Sequence, residues 1–218
     1  MGIAYNPRIV TDGLVLALDA GNTKSYPGSG TTWNDLSGKG NNANISNYGD
    51  TPTFSSSFGG TFDFSGNKRF YVDVPQLNNT NSYSVIWFGC DGAGDQYSGV
   101  SRDVTWQYGN HLIGWQRGAI NTDSGRDTNT NSTGDEFMIC HTNDTSSKTV
   151  NQYLNGIYYG QFSYISWASR ERWTVGTRGD GNGHQYLGKI ASIFLYNRVL
   201  TASEIQQNFN ATRSRFGI

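Results

Sequence analysis

The sequence predicts an all-β fold, a two-sheet antiparallel β-sandwich closed by one short C-terminal helix. Twenty-eight glycines among 218 residues favour turns and strands over long helices. Apolar runs are short and are separated by turn pairs such as Gly66-Asn67, Gly109-Asn110 and Asn155-Gly156. A helix start signal stands at Thr201, where Thr-Ala-Ser-Glu has capping-box spacing.

Gly13 to Asp19 is a continuous apolar run after a turn signal, as expected of a strand covered on both faces. Residues from Gly21 to Asn42 read as a long loop held down by a few apolar anchors, Trp33 and Leu36 among them. Thr61 to Ser65 and Phe70 to Val74 read as a hairpin across Gly66-Asn67. Ser82 to Cys90 is apolar on both alternations from Val85 onward, which places it centrally in a sheet. Val104 to Gln107 and His111 to Gln116 read as a second hairpin, and Asn121 to Gly134, almost wholly polar, as an exposed loop.

Glu136 to His141, Thr149 to Leu154 and Ile157 to Phe162 follow as strands. Asn155-Gly156 joins the last two, because it supplies the positive φ angles of a two-residue type I′ turn. Arg172 to Gly176 and Tyr186 to Tyr196 complete the strands. In the helix, Ile205 and Phe209 share one face, with Gln206, Gln207 and Asn210 toward water. No linker or repeat divides the chain, so residues 1–218 read as one domain with short terminal arms at about 1–10 and 211–218.

Hydrophobic residues make up only 35%, but 14% are aromatic, enough for a core built from few large side chains. With 15% charged residues and a net charge of -1, no basic field exists for nucleic acid or an anionic membrane surface. The sequence shows no secretory signal pattern and no apolar run of membrane-spanning length. Cys90 and Cys140 lie inside apolar runs, where small buried thiols are common, and whether they pair is left open.

Several of these segments together resemble the laminin-G-like domains of the concanavalin-A-like lectin and glucanase superfamily, a jelly-roll sandwich. The resemblance rests on Gly13 to Asp19, the Trp33-Asn-Asp-Leu-Ser-Gly-Lys-Gly-Asn-Asn42 loop, Phe62 to Gly66, Val72 to Pro75 and Ser82 to Trp87. It continues through Gln152 to Gly156 and the closing run Gly188 to Ile205. Chains of this size that begin and end as this one does look similar to phage structural proteins. The resemblance therefore implies a non-catalytic virion component, a capsid decoration, fibre or tail protein, made in the host cytoplasm. It would dock on capsid proteins or on copies of itself through surface and edge strands, with the terminal arms as first docking elements. The alternatives are a cell-surface or extracellular adhesin that binds a host glycan, and a glycoside hydrolase.

Glucan hydrolases of this superfamily carry paired catalytic glutamates, whereas Glu136, Glu171 and Glu204 lie in three different segments. His111, His141 and His184 show no metalloprotease spacing, and no serine sits in a nucleophile elbow. No catalytic residue is assigned. Carbohydrate binding asks for exposed rings beside hydroxyl and amide groups, for which Trp167 with Tyr164 is the first candidate and Trp115 and Tyr97 follow. Calcium takes carboxylate, amide and carbonyl oxygens, and superfamily members hold it at the sandwich rim; Asp91 with Asp95 and Asp180 with Asn182 are the candidate ligands.

Overall fold

The computed structural model describes residues 8–45, 51–66, 68–77, 82–90, 99–102, 112–116, 119–122, 125–126, 136–163, 172–177 and 186–218. In chain order the elements are β1 (Leu14–Asp19), β2 (Thr32–Trp33), β3 (Ala43–Ile45), β4 (Thr53–Ser55), β5 (Thr61–Asp63), β6 (Phe70–Asp73) and β7 (Tyr83–Cys90). Then come β8 (Val100–Arg102), β9 (Leu112–Gln116), β10 (Ala119–Thr122), β11 (Gly125–Arg126), β12 (Glu136–Asp144) and β13 (Thr149–Leu154). The chain closes with β14 (Ile157–Ser163), β15 (Arg172–Val175), β16 (Lys189–Tyr196) and α1 (Ala202–Phe216).

The described strands form two antiparallel sheets of eight. One runs β14-β13-β12-β7-β16-β5-β4, with β1 also paired to β16; the other runs β11-β10-β9-β8-β15-β6-β3-β2. Strand β16 lies at the middle of the first sheet, with β7 along one side and both β1 and β5 along the other.

The double-sided apolar pattern of β7 has a direct cause. Tyr83, Val85 and Trp87 enter the layer between the sheets with Trp33, Phe62, Phe70 and Trp173. Ile86 and Phe88 enter a second layer on the outer face, beneath Ile205, Phe209 and Phe216 of α1. The first sheet is therefore covered twice, by its partner sheet and by the helix. Cys90 and Cys140 are buried and form no disulfide.

Local chemistry fixes several elements as expected. Asn155 and Gly156 take φ of 50° and 80°, and the Asn155 side chain accepts from the Met138 N–H at 2.8 Å. Thr201 caps α1, and Glu204 reaches back to the Thr201 N–H at 2.8 Å, completing the capping box. Arg198 holds the Glu204 carboxylate at 2.6 Å, and that bond, with the cap, pulls its pKa down to about 2.

Other expectations are overturned. Strands β5 and β6 are not a hairpin: β5 pairs with β16 and β4, whereas β6 pairs with β15 and β3 in the other sheet. Phe62 and Phe70, one from each sheet, meet edge to face across the core at 4.9 Å. The described partners of β9 are β8, at Val100 and Ser101, and β10, while Val104 to Gln107 lie outside the described residues. The polar stretch from Asn121 is not all loop, since Asn121 and Thr122 pair with Arg126 and Gly125.

The helix runs 15 residues, not a short turn, and takes in most of the expected C-terminal arm. Phe216 lies two helical turns beyond Phe209, so the apolar stripe continues, and its ring stacks on Phe88 at 4.9 Å. The described end of the N-terminal segment is also tied down. The Val10 N–H donates to Asn208 at 2.8 Å, Gln207 donates to the Arg8 carbonyl at 2.7 Å, and Tyr196 donates to the Val10 carbonyl at 3.0 Å.

His141 of β12 is completely buried, opposite Val85 of β7 and Gln152 of β13. Burial drives its pKa from 6.5 down to about 3, so the ring is neutral in the folded protein. The unfolded chain binds a proton near pH 6.5 that the fold refuses, so this contribution is complete above that pH and is lost as pH falls toward the folded value. Urea titrations from neutral pH to about pH 5 should show a loss of about 2 kcal/mol that is absent from His141→Gln. Parallel pH profiles for the two proteins would refute the assignment.

Candidate functional site

Loop 33–42 is built to be rigid. Asp35 accepts four hydrogen bonds, from the Ala17 and Ser37 N–H groups, both at 2.8 Å, from the Ser37 hydroxyl at 2.7 Å and from the Asn41 N–H at 3.0 Å. Asn41 donates to the Val15 carbonyl and to Gln76, both at 2.8 Å, and the Leu36 N–H donates to the Ala17 carbonyl at 2.8 Å. These groups satisfy the backbone of β1 along the side away from β16, where a neighbouring strand would otherwise lie. The loop that carries much of the resemblance therefore spends its polar side chains on the fold.

Beyond the end of β1 the chain turns tightly. The Ser25 and Tyr26 N–H groups both donate to the Asn22 carbonyl at 2.8 Å, and the Tyr26 hydroxyl donates to the Gly30 carbonyl at 3.2 Å. This turn meets the 3₁₀ turn Ser57–Gly59 at a backbone contact that glycine alone permits. A Cβ on Gly21 would strike the Gly59 carbonyl, and one on Gly60 would strike the Gly21 backbone. Arg215, near the end of α1, clasps the contact by binding the Asp19 carboxylate and donating to the Gly59 carbonyl at 2.8 Å.

Between the two turns opens a cleft of about 250 Å³. Tyr26 and Phe54 are its aromatic lining residues, their ring centroids 5.1 Å apart, and the hydroxyl-bearing residues Thr23 and Ser56 also line it. Among the described residues no carboxylate, imidazole, amine or thiol lines it. Next to it in the chain, Phe58 is exposed and held at a φ of 51°, a left-handed conformation uncommon for a bulky residue.

A second exposed feature is β14, at the edge of the first sheet. Its sequence, Ile-Tyr-Tyr-Gly-Gln-Phe-Ser, carries no charge, and Ile157 and Tyr158 are 70% and 56% exposed. Tyr158 packs on Tyr153 at 5.6 Å, and a bulge interrupts the pairing with β13 between Gln152 and Tyr153.

The candidates read from the sequence fall elsewhere. Trp167, Tyr164, Tyr97, Asp91, Asp95, Asp180 and Asn182 lie outside the described residues, as does Glu171. Trp115 lies on β9 and Glu136 opens β12, but their side chains are outside the described part. Glu204 is committed to the helix cap and to Arg198. Among the described residues no three His, Cys, Asp or Glu side chains come together as a metal site. Sequence reasoning missed the cleft because Tyr26 and Phe54 are far apart in the chain; the one local signal was the cluster of turn glycines on either side.

No family model matches the sequence, and no curated protein matches it. Solved structures do share its fold. Domain 4 of AbnA, a GH43 extracellular arabinanase from Geobacillus stearothermophilus solved with arabinotriose, superposes with a TM-score of 0.65 at 15% identity, over 89% of this chain and 97% of that one. The binding domain of botulinum neurotoxin serotype D gives 0.66 at 14% identity, over 92% and 52%. The Trypanosoma rangeli sialidase bound to the inhibitor DANA gives 0.68 at 16% identity, over 97% and 36%. The chain thus spans about half of the toxin domain and about a third of the sialidase. At these identities the likeness shows the fold, a two-sheet β-sandwich.

Proposed function

We propose that the protein is a non-catalytic binding sandwich, and that its setting is a virion, where it docks on other structural proteins. The observation that carries the non-catalytic part is the chemistry of the described cleft, which offers rings, hydroxyls and backbone but, among the described residues, no carboxylate, imidazole or amine to activate a hydroxyl. The docking part is supported by β14, whose exposed, uncharged edge lacks the lysines and prolines by which edge strands avoid association. The virion setting itself follows from the resemblance of the sequence to phage structural proteins.

A second reading, carbohydrate recognition on a surface, is favoured by one observation. The solved arabinanase domain that matches this chain nearly end to end was found with a bound oligosaccharide. Calcium held by Asp91 with Asp95, or by Asp180 with Asn182, belongs to either reading as a loop-ordering ion.

Particle fractionation tests the docking proposal. The wild-type protein is expected to co-sediment with purified virions and the Ile157→Lys, Tyr158→Lys double variant to remain in the soluble fraction. Equal recovery of both in particles would discard β14 as the docking edge, and absence of the wild type from particles would discard the virion setting. Polysaccharide incubated with the protein should release no reducing ends. Turnover abolished by Glu136→Gln or Glu171→Gln would establish a hydrolase instead.

A further inference from the structure

We infer that the cleft between the Asn22–Tyr26 turn and the Ser57–Gly59 turn is a subsite for a single neutral sugar ring, the terminal unit of a glycan. The inference rests on the carbohydrate-binding reading above and gives it a place and a ligand class. Size is the first argument. At about 250 Å³ the cleft falls below the roughly 300–1,000 Å³ of sites that hold drug-sized molecules, so it takes one ring and not an extended chain.

Chemistry supplies the second. Sugar C–H faces favour aromatic surface, which the half-buried Phe54 and the margin of the otherwise buried Tyr26 present, backed by Phe62 at 4.7 Å from Tyr26 and 5.9 Å from Phe54. Sugar hydroxyls need directional partners. The side chains of Thr23 and Ser56 are exposed at the cleft, and the Ser56 hydroxyl makes no cap bond to the turn that follows it. Two of the other polar groups nearby are already engaged, since the Gly21 N–H donates to Asp19 at 3.0 Å and the Gly59 carbonyl accepts from Arg215.

Charge supplies the third. No lining residue is ionised, and the nearest described guanidinium, that of Arg215, is neutralised by Asp19. A carboxylated or phosphorylated sugar would lose its hydration there without gaining a counter-charge. The floor is also fixed in advance, because Gly21 and Gly60 touch backbone to backbone under the Arg215 clasp, so a ligand orders little on entry.

The experiment is saturation-transfer NMR with methyl glycosides of arabinose, galactose and mannose, and with a methyl sialoside, each with and without calcium. At least one neutral glycoside is expected to bind and the sialoside to give no transfer. Thr23→Trp, an exposed position at the cleft, should abolish the signal, and Thr23→Ala with Ser56→Ala should weaken binding on the order of tenfold for two lost hydrogen bonds. Circular dichroism must show both variants folded. Neutral-sugar binding that survives Thr23→Trp would overturn this site while leaving carbohydrate binding standing. Preferential binding of the sialoside would overturn the neutral class, and silence from every glycoside would overturn the subsite. Hydrolysis of a glycoside would instead overturn the non-catalytic reading.

Discussion

Trp87→Ala is expected to lower the unfolding free energy by about 3–5 kcal/mol, a large part of the margin of an ordinary domain. Trp87 is fully buried at the centre of β7, with Phe137 at 5.1 Å and Tyr186 at 5.4 Å, both edge to face. The surrounding backbone has shaped itself to the ring. A Cβ on Gly99 or on Gly89 would collide with the indole, so these positions leave no side chain that could swing into the hole. Trp87→Phe provides the internal comparison. The indole N–H makes no hydrogen bond, so the phenyl ring loses packing but relieves an unsatisfied donor, and about 1–2 kcal/mol is expected. Urea midpoints followed by circular dichroism decide the matter. A Trp87→Ala loss under about 1 kcal/mol would mean that the core does not depend on this ring.

The second large effect is expected at the other end of the chain. Phe216→Ala should cost about 3 kcal/mol, because it uncovers Phe88 on the outer face of the first sheet. Removal of residues 211–218 should cost more, since it also breaks the Arg215 clasp on Asp19 and Gly59. The truncated protein is then expected to aggregate, with Phe88 and Phe194 newly exposed. A free docking arm would behave in the opposite way, leaving the urea midpoint unchanged and abolishing partner binding alone. The same truncation therefore separates a packed helix end from an arm.

What was legible in the sequence followed from how local each signal was. The Asn155-Gly156 turn, the Thr201 capping box and the doubly apolar β7 each needed only neighbouring residues, and each is present. The β5 and β6 strands were legible as strands but not as members of different sheets, because Gly66-Asn67 suits a hairpin and a crossover equally well. That choice is made by Phe62 and Phe70 meeting across the core. Helix length was misjudged because Thr212, Arg213, Ser214 and Arg215 look like a polar tail, while the stripe resumes at Phe216. The cleft was invisible for a related reason, since a 3₁₀ turn with phenylalanine in the left-handed region has no sequence signature. The loop from Trp33 to Asn42 was rightly seen as anchored, but its anchors are Asp35 and Asn41 more than its apolar residues.

The central position of β16 has a consequence for synthesis. β7 is shared between β12 and β16, and β1 forms its sheet contacts on β16, yet β16 is the last strand to be made. While the ribosome is still translating the preceding segments, β1 and β7 carry an open seam of backbone and aromatic side chains with nothing to fill it. Sheet closure must wait until residue 196 has emerged, and the helix that covers the outer face comes later still. Such a nascent chain cannot close its first sheet progressively, and until β16 has emerged the unfilled seam stays open to association with other chains.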